Sequence, residues 1–64
     1  MNIAMTIYDK YFHSNKCENR LGQTEIMAIK ECKDHFMERN NKVYKFQDGS
    51  RLIFTYDNVQ VTLF

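Results

Sequence analysis

The sequence predicts one small α+β domain spanning residues 1–64. A main helix over about 24–40 packs on a three-stranded antiparallel meander at about 42–47, 50–56 and 59–64, preceded by a short N-terminal helix or strand. Three observations carry this. The last third of the chain alternates apolar and polar residues, the middle repeats apolar residues at helical spacing, and 64 residues suffice for one core and no more.

The N-terminal segment supports two periods. Met1, Ile3, Met5 and Ile7 alternate as a strand does, whereas Thr6-Ile7-Tyr8-Asp9 resembles a capping box opening a helix. Asp9-Lys10 would interrupt a strand, so the short helix is preferred, with Tyr8, Tyr11 and Phe12 on one side. From His13 to Gln23 the chain reads as a polar loop with Leu21 turned inward beside Gly22.

In the main helix, Thr24 is the expected N-cap and Glu25 complements the helix dipole in the first turn. Arg39 falls in the last turn, and Asn40-Asn41 can end the helix in the left-handed region. At about 100° per residue, Ile26, Ile29, Cys32 and Phe36 form the stripe expected to cover the sheet, with Lys30, Glu31, Asp34 and Glu38 in solvent.

The sheet follows from Tyr44, Phe46, Leu52, Phe54, Tyr56, Val59, Val61 and Leu63, which must share one face. A two-residue Asp57-Asn58 turn would set Tyr56 opposite Val59 and Phe54 opposite Val61. Asp48-Gly49 alone suggests another two-residue turn, but that would put Tyr44 and Phe46 on the wrong face. A three-residue loop Gln47-Asp48-Gly49, with Gly49 left-handed in a bulge, restores the parity and places Tyr44 opposite Leu52.

Composition excludes several functions. Nine basic and eight acidic residues leave a net charge of +1, without the basic excess usual in nucleic-acid binders. The N-terminus lacks a basic leader, and no apolar run nears the roughly 20 residues of a membrane span. A cytoplasmic protein without a membrane partner is therefore expected, its two cysteines reduced. No phosphate loop, nucleophile elbow or paired acidic motif is present, so no enzyme and no cofactor is expected.

The cysteines and histidines form two close pairs, His13 with Cys17 and Cys32 with His35, a complete tetrahedral zinc set. On a helix, Cys32 and His35 could both reach one ion. Cys32 also lies on the apolar stripe, where a free cysteine acts as a small hydrophobe. The order differs from the usual C-x₂₋₄-C with H-x₃₋₅-H, and the expectation is that no metal is bound.

The outer sheet face is expected to carry Val43, Lys45, Arg51, Ile53 and Phe64, an apolar patch flanked by basic residues beside an open strand edge. Such a surface predicts a small non-enzymatic protein-binding regulator or inhibitor that docks on a larger protein or assembly, and it also suits a homodimer. The alternative is a small DNA-binding transcriptional regulator, with Arg20-Leu21-Gly22-Gln23-Thr24 leading into the helix of a degenerate winged-helix-like arrangement. Glu31, Asp34 and Glu38 on the helix would repel phosphate, which makes nucleic acid the less favoured partner.

Overall fold

In the computed structural model, which describes residues 2–63, two helical elements cover one face of a four-stranded antiparallel sheet. The strands are β1 (Asp34–Glu38), β2 (Asn41–Lys45), β3 (Arg51–Phe54) and β4 (Val59–Thr62), and they lie in chain order. The α+β class is as expected, with one strand more.

The chain opens with helix α1 (Ile3–Ile7), which runs on as a π-helical segment (Tyr8–His13). Asn2 rather than Thr6 is the cap, its Oδ1 accepting from the Met5 amide at 2.8 Å. Thr6 lies inside the helix and donates to the Asn2 carbonyl. Two further amides of the first turn reach the β2–β3 hairpin: Ile3 donates to Asp48 at 2.8 Å and Ala4 to the Ser50 hydroxyl at 3.1 Å. The free N–H groups of a helix start are thereby satisfied by a turn more than forty residues away.

Helix α2 (Arg20–Glu31) begins four residues before the expected start and ends nine before the expected end. Thr24 is not its cap. It is fully buried in the second turn, and its hydroxyl donates to the Arg20 carbonyl at 2.6 Å. The helix stops where Cys32 turns extended (ψ 153°) and the Lys33 amide bonds the Lys45 carbonyl, drawing the next residues into the sheet. Residues 34–38 thus form strand β1, and Phe36 belongs to no helical stripe.

The expected stripe is also rotated. Ile26 and Ile29 are 66% and 52% exposed, and the inward face is built from Leu21, Thr24 and Ala28. Large aromatics come from the other side of the core (Phe12, Tyr44, Phe46 and Phe54), and the fully buried positions of the helix facing them, Thr24 and Ala28, are small and permit close approach.

The β2–β3 hairpin is as expected. Tyr44 pairs with Leu52, Phe46 and Ser50 close a three-residue loop, and Gly49 takes φ 88°, where a Cβ would be strained. The next hairpin differs: Phe54 pairs with Val59 and Leu52 with Val61, so the turn residues are Tyr56-Asp57, one position earlier. That shifts the register by two, preserving the face of Val59 and Val61. Tyr56 moves into the turn at 97% exposure, and Leu63 is exposed beyond the last pair. In the β1–β2 hairpin the left-handed residue is Arg39 (φ 55°), not Asn40 or Asn41.

Candidate docking surface

The residues expected to bind a partner lie on the sheet face away from the helices. Val43 pairs with Ile53 and Lys45 with Arg51, while Phe64 lies outside the described residues. Their exposure differs from expectation. Strand β1 places Phe36 beside Val43, and between Phe36 and Ile53 Val43 is only 2% exposed. Lys45, Arg51 and Ile53 are half-buried. The apolar part of this face is largely used up within the sheet.

More apolar surface is open around β1 and α2. All five residues of β1 are exposed, and among the described residues the strand has a neighbour on one side only. Sheet alternation sends Asp34, Phe36 and Glu38 to the outer face and His35 and Met37 to the helix face. The His35 ring stacks on Tyr44 with centroids 5.8 Å apart. Met37 is 62% exposed beside Ile29, across an open hollow of about 270 Å³ that Glu25, Lys42 and Tyr44 also line. Ile26 lies one turn back along α2 and borders a second, shallower hollow with Tyr11 and Met27. An apolar band therefore runs from Met37 over Ile29 and Ile26 to Tyr11.

The floor between α2 and β2 is polar but closed on itself. The Tyr44 hydroxyl donates to Glu25 Oε2 at 2.6 Å, and Lys42 Nζ lies 3.0 Å from the same oxygen. The Tyr44 bond, and after it Lys42, holds the Glu25 carboxyl below its ordinary pKa against the opposing effect of burial. Burial and the Glu25 carboxylate together push the Tyr44 hydroxyl well above the usual tyrosine value. These groups spend their bonding capacity on one another, which fixes α2 to the sheet.

The two Cys/His pairs are placed apart. His13 ends the π-helical segment and stacks on Tyr8, and the exposed Cys17 lies in the loop near Gln23. Cys32 caps α2 with its thiol toward the Ile29 carbonyl, and His35 is on a strand rather than one helical turn further on. Among the described residues no three His, Cys, Asp or Glu side chains converge on a point that could hold a metal ion. No helix among them is long and apolar enough to cross a membrane.

Sequence reasoning missed β1 and hence this surface. The available signal was the adjacent pair Phe36-Met37, which fits a strand edge as well as a helix. No family model matches the chain, and no curated protein or solved structure matches it.

Proposed function

We propose that the chain is a non-enzymatic protein-binding module, a small regulator or inhibitor that docks on a larger protein through the β1 edge and the exposed side of α2. The observation that supports this most is the run Asp34–Glu38, five exposed residues on an unpaired edge, with Met37 beside Ile29 and Ile26. An open edge invites an added strand and is usually covered or blunted. The opposite edge strand, β4, is in contact with α1 and the π-helical segment.

Energetics point the same way. Burying an aliphatic side chain fully contributes about 1.5–3 kcal/mol, and a domain this small has little stability to leave unused. Three large apolar side chains held in water along one band are better placed for a partner than for the fold. Of the titratable groups bordering the band, Glu25, Lys42 and Tyr44 bond one another and the His35 ring stacks on Tyr44. Among the exposed positions of α2, Arg20, Gln23 and Lys30 could donate to a DNA groove, but Glu31 repels phosphate and Ile26 and Ile29 offer apolar area, which favours a protein partner.

Photo-crosslinking in the producing cells tests the reading. A benzophenone amino acid placed at position 29 or 37 should give the same partner adduct, and one at Gln60, on the far sheet face, should give none. Equal adducts from all three positions, or none from 29 and 37, would refute the assignment.

A further inference from the structure

We infer that the β1 edge accepts an extended segment of another protein as an antiparallel fifth strand, one that carries basic residues four positions apart around an apolar pair. This rests on the docking reading above and goes on to name the partner's chemistry.

The pattern on β1 is short and specific. Its outer face shows carboxylate, aromatic, carboxylate (Asp34, Phe36, Glu38), and its helix face shows His35 and Met37. A second copy of the chain does not suit it. Two β1 strands paired antiparallel about Phe36, the register that uses all five residues, would set Asp34 opposite Glu38 of the second copy and Glu38 opposite its Asp34. Like charges directly opposite on a sheet repel. The edge is thus protected against itself, while Phe36 and Met37 keep it open to others.

The same carboxylates favour a strand with Lys or Arg at those two positions. Among the described residues neither Asp34 nor Glu38 is in an ion pair, the one pair present being Lys42–Glu25. Asp34 accepts only the amide of its neighbour His35, at 2.9 Å, and Lys45 opposite it on β2 is not within ion-pair distance. Read from its N-terminus, the added segment has a basic residue opposite Glu38, then apolar residues opposite Met37 and Phe36, any residue opposite His35, and a basic residue opposite Asp34. The apolar residue opposite Met37 falls on the helix face, where Ile29 borders the hollow. Main-chain hydrogen bonds would supply affinity and the alternate side chains selectivity.

The test uses the isotope-labelled full chain and two synthetic peptides, acetyl-Thr-Lys-Val-Val-Thr-Lys-Thr-amide and the same peptide with Glu for both Lys. The basic peptide should shift the resonances of residues 34–38 and of Ile29, slow amide exchange along β1, and bind about tenfold tighter than the acidic one, since two cross-strand pairs change from repulsive to attractive. The double variant Asp34→Lys with Glu38→Lys, altered only at exposed positions, should remain folded and reverse the preference. Equal affinity for both peptides, an unreversed preference, or shifts that spare residues 34–38 would each overturn the inference. None of these bears on the crosslinks from positions 29 and 37, whose loss would instead remove the docking surface itself. Dimerisation of the free protein with β1 amides protected would also overturn it.

Discussion

Replacing Tyr44 by phenylalanine removes one oxygen and leaves the aromatic core in place, so it isolates the bond between α2 and the sheet. A hydrogen bond to a charged group contributes about 1.5–3 kcal/mol. The Glu25 side chain is 26% exposed and keeps Lys42, so it recovers some hydration, and the loss should lie near the lower end, about 1.5 kcal/mol. In a domain of this size each kcal/mol is worth about 4–8 °C, which predicts a fall in Tm of about 6–12 °C at neutral pH. The pH dependence is more diagnostic. Glu25 has a lower pKa folded than unfolded, so its contribution is present above the ordinary value of 4.5 and is lost as pH falls below it. The Tyr44 hydroxyl is raised in the fold. Its contribution is present below the ordinary value of 10.0 and is lost as pH rises past it, where the unfolded chain ionises and the folded one does not. The stability difference between wild type and Tyr44→Phe should therefore be a plateau from about pH 5 to 10 that falls at both ends. Urea denaturation followed by circular dichroism across pH 3–11 measures it. Equal midpoints at pH 7, or a difference that stays constant down to pH 3, would refute the bond and the argument built on it.

Other perturbations test the core, the hairpin and the metal reading. Phe54→Ala removes a buried ring that meets Tyr44 edge-on at 5.2 Å, and should cost about 3–5 kcal/mol, a large part of the reserve of about 3–10 kcal/mol typical of a 64-residue chain. A native melt for that variant would mean the sheet faces are assigned the wrong way round. Gly49→Ala forces a Cβ into the left-handed region at φ 88° and should cost about 1–2 kcal/mol, read as a lower Tm; an unchanged melt would argue against the bulged loop. The purified protein should contain no stoichiometric zinc and should melt identically with and without a strong chelator. One equivalent of zinc lost together with the fold would require His13, Cys17, Cys32 and His35 to meet, as they do not here.

What could be read from the sequence was set by constraints that couple distant residues. Tyr44 and Phe46 had to share a face with Leu52 and Phe54, which a three-residue loop ending in Gly49 allows and a two-residue Asp48-Gly49 turn does not, so the β2–β3 hairpin was legible against its own turn signal. The β3–β4 register was not, because Tyr56-Asp57 and Asp57-Asn58 turns leave Val59 and Val61 on the same face and parity cannot choose between them. Helix α2 was extended through residues 34–38 because no glycine or proline marks its end. What stops it is pairing with β2, a tertiary effect, since strand formation depends more on context than helix formation does. Apolar bulk does not mark the inward face of α2, whose fully buried positions are Thr24 and Ala28 while Ile26 and Ile29 are exposed. Helical spacing alone puts Phe36 in the core, and only its pairing with Val43 reveals the open edge it occupies.

The polar floor connects fold stability to the docking surface. Ile29 stands one helical turn beyond Glu25 on α2, and Met37 pairs across the strands with Lys42. The Glu25 carboxylate binds both Lys42 and Tyr44, so one side chain ties the helix side of the band to its strand side. Releasing it should widen the space between Ile29 and Met37 without removing any residue that touches a partner. Tyr44→Phe, held well below its melting temperature, should therefore give weaker crosslinking from positions 29 and 37 than the folded fraction alone accounts for. In lysate of the producing cells, lowering the pH through the Glu25 titration should weaken crosslinking in the wild type more than in the variant, which has already lost that bond. Yields that simply follow the folded fraction in both proteins would separate the surface from its floor, and Glu25 would then serve stability alone.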